Sequence, residues 1–236
     1  MAMWERAFIE HAKAEFPNEC CGVVVTRANK MHYYSCANIA DQPKNDFVLD
    51  PRDYAEACEM GEVVGICHSH PYTDNKPSML DLTECEKHGL PWHIVAIDRD
   101  LDASPINTFV PSGYVAPYVG RPFHHGVLDC YALIRDWYIR ERGITLPDYE
   151  REDEWWNKGQ DLYMRYFEEA GFAPIVDTPQ EGDVVIMQIR SKQANHGAVY
   201  VGDGKILHHV MGRLSTIDYY DGYWQDNTRL IVRYQR

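Results

Sequence analysis

A short apolar segment that ends in two closely spaced histidines constrains the first half of this chain more than any other feature. Residues 62–66 read Glu-Val-Val-Gly-Ile, which predicts a buried strand. The strand leads to His68 and His70, whose side chains point to the same side because they lie two positions apart on extended backbone. Ser78 and Asp81 follow after a proline-containing loop. Two imidazoles and one carboxylate form a zinc ligand set with one open position, as in hydrolytic sites.

Ser78 and Asp81 also have a purely structural interpretation. A serine followed three residues later by an acidic residue is typical of a helix N-terminus, where each side chain caps the backbone of the other. Such a helix would end at Gly89. The two interpretations are compatible, because a helix start can hold Asp81 against the histidines.

The whole spacing resembles the motif of the JAMM metallopeptidases, His-x-His-Pro followed by Ser-x-x-Asp. That family also has a glutamate on an earlier element, and Glu19 lies in a segment, Phe-Pro-Asn-Glu-Cys-Cys-Gly-Val, that is similar to the bacterial form. The resemblance covers the first half of the chain and implies a mixed sheet with flanking helices. It implies that one zinc ion is bound by His68, His70 and Asp81. It also implies that Glu19 is the general base that takes a proton from the zinc-bound water, and that Ser78 helps to hold the oxyanion.

The charge and the cysteines exclude several classes of function. The chain has 23 basic and 36 acidic residues and a net charge of −13 with neutral histidines. Such a surface repels phosphate backbones, so we expect no nucleic-acid partner. We expect no membrane span and no signal peptide, because no apolar run is long enough and the first residues carry charges. The seven cysteines contain no Cys-x-x-Cys pair, which argues against a disulfide framework and favours a reducing cytoplasm.

A proline-rich segment divides the chain. Residues 103–122 hold four prolines and two glycines, a composition typical of a domain boundary or an extended linker. We therefore expect a zinc metallopeptidase domain over residues 1–111 and a second domain over residues 112–236. The mixed order of helices and strands predicts α/β and α+β folds.

The second half begins with helical patterns and ends with strands. Apolar residues recur at helical spacing over residues 129–143 and again over residues 157–170. Short strand patterns follow, and one of them spans residues 219–224. The order predicts helices packed on an antiparallel sheet.

The first of these helices places a cysteine at its start. Asp129 fits an N-cap, and the Cys130 thiol would then face the positive end of the helix dipole, which favours a thiolate. A packed core cysteine is the alternative. His196 and His208 lie on two predicted strands joined by a tight turn, so their rings can meet. A cysteine, a histidine and a second polar ring form a set of nucleophile, base and orienter.

This pattern resembles the NlpC-like cell-wall peptidases of the papain-like fold, in which Asp-Cys opens a helix, His-Gly opens a strand and a histidine comes late. The resemblance implies that Cys130 is the nucleophile, His196 the general base and acid, and His208 the orienter. Tyr118, twelve residues before the cysteine, looks like that family's active-site tyrosine. Most of the family has a serine after the cysteine, whereas this chain has Tyr131, a difference that affects substrate detail more than the triad.

A chain with a JAMM-like half followed by an NlpC-like half resembles a family of tail tip proteins from long-tailed bacteriophages. That likeness implies a cysteine endopeptidase that cuts the peptidoglycan stem peptide between D-glutamate and diaminopimelate, joined to a zinc-dependent amide or isopeptide hydrolase. It implies other phage tail tip proteins as partners, and a location in the host cytoplasm during assembly or in the virion tail tip. A structural assembly factor with vestigial sites and a cytosolic isopeptidase are the alternatives.

Overall fold

Two units make up the chain in this computed structural model, which describes residues 1–235. The first unit is Met1–Val115 and the second is Ala116–Arg236. Each unit has a sheet with helices, which confirms the predicted combination of α/β and α+β folds. The expected domain limits, 1–111 and 112–236, stay a prediction, because a division of contacts does not test whether the halves fold separately.

The first unit is built from helices α1 (Met3–Glu15), α2 (Pro51–Met60) and α3 (Met79–His88) and from strands β1 (Cys21–Arg27), β2 (Lys30–Cys36), β3 (Glu62–Pro71), β4 (Trp92–Ile97) and β5 (Asn107–Phe109). These strands form a mixed sheet in the order β2-β1-β3-β4-β5. Strands β3 and β4 are parallel, and the other neighbours are antiparallel.

Strand β3 is the buried strand that the apolar run predicts, and it places the two histidines at the end of the core. His68 lies opposite Cys21 of β1 and next to Ile94 of β4. Helix α1 covers the sheet with its two buried residues, Phe8 and Ala12. His68 is therefore a fully buried polar ring at the end of an apolar core.

The second unit begins with α4 (Cys130–Trp137), which continues as a π-helical turn over Tyr138–Arg142. A 3₁₀ turn (Trp155–Lys158) and α5 (Leu162–Tyr166) follow, and α6 (Gly222–Asp226) lies near the end. The strands are β6 (Phe172–Pro174), β7 (Val184–Met187), β8 (His196–Tyr200), β9 (Lys205–His208), β10 (Thr216–Tyr219) and β11 (Thr228–Tyr234). They form an antiparallel sheet in the order β10-β9-β8-β7-β11-β6.

Helix α4 packs closely on strand β8. Ile134 of the helix and Val199 of the strand belong to one buried cluster. A Cβ atom at Gly197 would lie 2.7 Å from the Tyr163 hydroxyl oxygen and 2.8 Å from Ile134 Cδ1, closer than real side chains tolerate. The glycine thus lets the start of α4 and the ring of Tyr163 approach the strand.

Two secondary-structure predictions in this unit are wrong. Residues 157–170 form a 3₁₀ turn and a short helix instead of one helix, because Gly159 adopts a left-handed conformation and ends the turn. Residues 219–224 span the end of β10 and the start of α6, with Gly222 at a φ of 39°. Tyr220 and Trp224 lie four residues apart and pack on the same cluster, which suits a helical turn. None of the described helices is long and apolar enough to cross a membrane.

Candidate functional site

The first unit brings the three predicted metal ligands together. His68 Nε2 lies 3.0 Å from His70 Nε2, and the carboxylate oxygens of Asp81 lie 3.2 Å from the first ring and 3.5 Å from the second. Two imidazole nitrogens this close can share at most one hydrogen, whereas a cation between them engages both lone pairs. Two imidazoles and a carboxylate also match the donor types that zinc prefers. The residues present therefore fit a metal ion.

Neighbouring side chains and backbone orient the two histidine rings. The ring of His68 stacks on Phe47, with centroids 4.6 Å apart, and meets the edge of Trp92. His70 Nδ1 lies 3.0 Å from the carbonyl oxygen of Asp74, to which it donates. That hydrogen bond leaves His70 Nε2 as the bare nitrogen that faces the cluster.

Asp81 is held by the start of helix α3. Ser78 Oγ accepts from the Asp81 amide at 3.1 Å, and Asp81 Oδ2 accepts from the Ser78 amide at 2.7 Å, which is the predicted reciprocal cap. Burial alone would raise the pKa of Asp81, but the adjacent imidazoles of His68 and His70 lower it far below the usual range. Asp81 therefore stays ionised in a largely buried position.

Glu19 lies at the edge of this cluster and just before β1. It is buried, and its amide donates to the Pro43 carbonyl at 2.6 Å. Burial raises the pKa of Glu19 to about 8, with His70 acting in the opposite direction and Asp81 adding to the rise. The structure thus brings a carboxyl group that can exchange a proton near neutral pH within electrostatic range of the predicted ligands.

In the second unit, Cys130 opens helix α4 as the sequence predicts. The Asp129 side chain caps the helix and accepts from the Ala132 amide at 2.8 Å. Cys130 Sγ lies 3.2 Å from the hydroxyl oxygen of Tyr163. Within the described residues, no hydrogen bond joins Cys130 to His196, although both line one cavity of about 660 Å³.

The predicted pair of histidines does meet, and a third residue extends it. His196 Nε2 lies 3.1 Å from His208 Nδ1, and His208 Nε2 lies 3.1 Å from Asp218 Oδ2. Strands β8, β9 and β10 are neighbours, which places the three side chains in a row. The edge of the His208 ring faces Trp224, with centroids 4.4 Å apart. Sequence reasoning missed Asp218, although an acidic residue on the strand that pairs with the histidine strand is a usable signal.

The structure does not place Tyr118 at the thiol or in the lining of the cavity that Cys130 and His196 share. Its hydroxyl donates to Glu141 at 2.8 Å, and the Arg140 guanidinium lies 3.8 Å from its ring centroid. Glu141 lies roughly three helical turns beyond Cys130, so Tyr118 contacts the opposite end of that helix. The tyrosine at the thiol is instead Tyr163, which reaches it from α5 across a long stretch of sequence. Spacing alone could not reveal that contact.

The expected thiolate is also contradicted. Burial, followed by the charge of Asp129, raises the pKa of the Cys130 thiol to about 11, while the Tyr163 hydroxyl acts in the opposite direction. Burial lowers the pKa of His196 to about 3, and His208 and His209 add to that effect. Thiol and imidazole are therefore both neutral at rest. The helix dipole does not prevail, because burial disfavours the thiolate and the ionised carboxylate of Asp129 at the same helix end adds to that effect.

That carboxylate belongs to a buried ion pair. Asp129 accepts from Arg151 Nε at 2.6 Å and from Arg151 Nη2 at 3.1 Å, and it also accepts from the Gly126 amide. Burial tends to raise the pKa of Asp129, but Arg151 and the backbone donors hold it below its usual value. Tyr131, where the NlpC-like family has serine, donates to the Pro147 carbonyl and lines the cavity.

Comparison with known proteins matches each half to a family model. The model of prokaryotic homologues of the JAB domain matches residues 1–109, and that of the NlpC/P60 family matches residues 120–233. Among solved structures, a JAB1/MPN domain protein from Archaeoglobus fulgidus is similar at 19% identity and a TM-score of 0.31, over 48% of this chain and 86% of that one.

Two similar proteins span both halves. Tail tip assembly protein K of Escherichia phage N15 is 39% identical over 231 residues, which cover 97% of this chain and 93% of that protein. Tail tip assembly protein K of Escherichia phage lambda is 37% identical over 188 residues, which cover 79% and 89%. The chain therefore belongs to the tail tip assembly protein K family, with a JAB domain in its first half and an NlpC/P60 domain in its second.

Proposed function

We propose that the protein is a phage tail tip peptidase with two separate hydrolytic sites. The second unit cuts the peptidoglycan stem peptide at the bond between D-glutamate and diaminopimelate, and the first hydrolyses an amide or isopeptide bond with zinc. The observation that carries the proposal is the row formed by His196, His208 and Asp218 beside a cavity that Cys130 also lines. Membership of a family with two peptidase-type domains supports it.

We propose that the reaction at the cysteine site starts from a neutral Cys130 thiol and a neutral His196 ring. As Cys130 Sγ attacks the carbonyl carbon of the substrate, its proton passes to His196 Nδ1, the nitrogen that His208 leaves free. Cys130 is the first residue of the helix, where backbone N–H groups have no partner within the helix, so its N–H is our candidate donor for the oxyanion. His196 then protonates the leaving amine, and water hydrolyses the thioester, so that the thiol and the neutral ring are restored.

The lining of the cavity suits a peptide that carries carboxylates. Arg190 and Arg213 lie at its exposed rim. Within the described lining, the acidic residue is Asp129, and Arg151 already neutralises it. Aromatic side chains form much of the remaining wall and can cover the aliphatic parts of a peptide. Stem peptides combine free carboxylates with aliphatic side chains, which matches both features.

In the first unit, zinc would be held by His68, His70 and Asp81. Zinc supplies Lewis-acid chemistry toward water and a carbonyl group when it is bound. Glu19, whose pKa burial raises to about 8, can accept a proton from water and give it to a leaving amine. Ser78 Oγ accepts from the Asp81 amide, so its own hydrogen is free to be donated to an oxyanion.

The likeness to phage tail proteins supports other tail tip proteins as partners and the host cytoplasm as the place of assembly. A structural assembly factor is the second candidate. The contact that favours it is the one between Cys130 and Tyr163, since the resting thiol is engaged by a tyrosine and not by the base.

Digestion of purified peptidoglycan that contains diaminopimelate tests the proposal. The intact protein should release fragments with a new D-glutamate carboxyl end and a new diaminopimelate amino end, identified by mass spectrometry. Cys130→Ala should abolish the release, whereas Cys58→Ala, which removes an exposed thiol on α2, should leave it unchanged. A folded protein that releases no fragments would support the assembly factor instead.

A further inference from the structure

We propose that Asp218 is a positioning residue of the cysteine site: it fixes the tautomer of His208 and thereby determines which nitrogen of His196 can act as the base. The inference rests on the proposed function of that site. It concerns a residue that the sequence pattern of cysteine and two histidines does not include.

The contacts form one continuous row. Asp218 Oδ2 lies 3.1 Å from His208 Nε2, and His208 Nδ1 lies 3.1 Å from His196 Nε2. The His208 side chain has no exposed surface, while that of Asp218 is 28% exposed. Both ring nitrogens of His208 are thus engaged by protein groups, and solvent does not decide which of them carries the hydrogen.

The Asp218 carboxylate determines which ring nitrogen of His208 carries the hydrogen. An ionised carboxylate only accepts hydrogen bonds, so the hydrogen of neutral His208 must be on Nε2, where it points at Asp218. His208 Nδ1 then has a lone pair and accepts the hydrogen of His196 Nε2. The lone pair of His196 consequently lies on Nδ1, where it can take up the proton of Cys130.

The other tautomer would disable the site. With its hydrogen on Nδ1, His208 would present a bare nitrogen to a carboxylate 3.1 Å away, and two lone pairs would face each other. His208 would then donate to His196 Nε2, so the hydrogen of neutral His196 would lie on Nδ1. Such a ring cannot accept a proton on the nitrogen that His208 leaves free.

Arg213 is the other charged group on this carboxylate. Its Nη2 lies 3.5 Å from Asp218 Oδ2, and its side chain is 53% exposed. The contact is longer than that of His208 and faces solvent, which weakens it. Arg213 contacts the carboxylate without occupying a ring nitrogen of His208, so it does not compete for the hydrogen bond that sets the tautomer.

Nitrogen-15 NMR of the histidine side chains in the full chain tests the inference directly. Neutral rings show one protonated and one bare nitrogen, and the His208→Gln variant identifies the signals of His208. We expect Nε2 to be protonated and Nδ1 bare in the wild type, and Asp218→Ala to shift the ring toward the other tautomer. A wild-type ring with a bare Nε2, or an unchanged tautomer in Asp218→Ala, would overturn the inference.

Activity on peptidoglycan supplies the second readout. Asp218→Ala should lower kcat about 10- to 100-fold with little change in KM, since Asp218 orients the base and does not touch the substrate. Asp218→Asn keeps the shape and one acceptor oxygen, so its kcat should lie between those of wild type and Asp218→Ala. Asp221→Asn is the matched control, because it removes an exposed carboxylate whose side chain makes no hydrogen bond among the described residues. Equal kcat in the wild type and a folded Asp218→Ala would contradict the inference.

The two readouts separate this inference from the proposed function. If the wild type releases no fragments while His208 shows the expected tautomer and loses it in Asp218→Ala, peptidoglycan cleavage is wrong and the positioning role stands. If fragments are released at the same rate by wild type and Asp218→Ala, the proposed function stands and the positioning role is wrong.

Discussion

The metal-ligand cluster of the first unit and the cysteine site of the second are assembled over very different distances in the sequence. His68 and His70 come from one strand, and Asp81 comes from the first turn of the next helix along the chain. Cys130 and Asp218 come from opposite ends of their unit, and the histidines between them lie on two further strands. Local geometry places the first set of residues, whereas tertiary packing places the second.

The two sites also differ in whether the partners of their key group offset its burial. Asp81 is buried beside two imidazoles, and the pKa of its carboxyl group is lowered. Cys130 lies beside a carboxylate and a phenol; burial, with the charge of Asp129 adding to it, raises the pKa of its thiol, although Tyr163 acts in the opposite direction. Burial thus disfavours the charged form in both sites: Asp81 stays ionised because two imidazoles face it, whereas the partners of Cys130 do not offset its burial.

The largest effect that we expect outside the nucleophile is at the two histidines of the cysteine site. His196→Ala removes the base and should slow peptidoglycan cleavage by about 10²- to 10⁴-fold. His208→Ala leaves the base in place and should slow the cleavage less than His196→Ala does. Rates of fragment release from the two variants check the order. Equal losses would mean that His208 takes part in proton transfer, and the site would then depend on both rings equally.

The second expected effect concerns the stability of the second unit. Asp129→Ala leaves Arg151 buried without its carboxylate and removes the helix cap, so we expect it to lower the free energy of unfolding by about 3–5 kcal/mol. Denaturant unfolding measures the change. Asp153→Ala is the control: it removes an exposed carboxylate two residues after Arg151 and should change the free energy of unfolding little. A difference under 1 kcal/mol between the two variants would contradict the role of the pair.

The pH dependence of the same pair has a definite sign. The pKa of Asp129 is lower in the folded protein than its ordinary value, so its stabilising contribution is complete above about pH 4 and is lost as the pH falls through the folded value. Asp129→Asn should therefore flatten the acid limb of a plot of unfolding free energy against pH. An unchanged acid limb would show that Asp129 is not ionised in the folded state.

A smaller effect is expected in the alkylation of Cys130. Because the pKa of this thiol is raised to about 11, its reaction with iodoacetamide should be slow at neutral pH and rise steadily toward that value. Tyr163→Phe removes the hydroxyl that favours the thiolate, and it should slow the reaction about fivefold at a given pH. Peptide mass spectrometry follows the modification, with exposed Cys58 as the internal reference. Fast labelling of Cys130 near pH 6.5 would contradict the raised pKa and support the thiolate that the helix dipole predicts.

The smallest effect that we expect is proteolytic cleavage in the segment between the two units, which should leave both halves folded. Glu86 Oε1 accepts from the amides of Ser112 and Tyr114 at 2.6 and 2.9 Å, which ties this segment to α3. We therefore expect limited proteolysis by thermolysin next to exposed Val115 and Val119, with two resistant fragments. A single resistant core would contradict two domains that fold separately.

The sequence predicts the first site more completely than the second for a physical reason. The side-chain period of a strand and the geometry of a helix cap fix where His68, His70 and Asp81 point, and both follow from near neighbours in the chain. The family resemblance supplied Glu19, which spacing alone does not single out. The mixed sheet around these residues follows from the alternation of helices and strands.

In the second unit the sequence predicts Cys130, His196 and His208, because a helix start and a tight hairpin are local signals. It does not predict Tyr163, since a short helix brings that hydroxyl to the thiol through packing on Gly197. The resemblance that suggests Tyr118 does not fix where its side chain lies, because that segment depends on tertiary contacts with Arg140 and Glu141. The raised pKa of the thiol follows mainly from its burial in the folded unit, which no local pattern gives.

One crossed measurement tests the central claim, that the protein carries two independent hydrolytic sites. Zinc content and peptidoglycan cleavage are measured on the same preparations of wild type, Cys130→Ala and His70→Ala. The account predicts one zinc per chain and full loss of cleavage in Cys130→Ala, and loss of zinc with nearly unchanged cleavage in His70→Ala. Cleavage that persists in Cys130→Ala and disappears with the zinc in His70→Ala would contradict it.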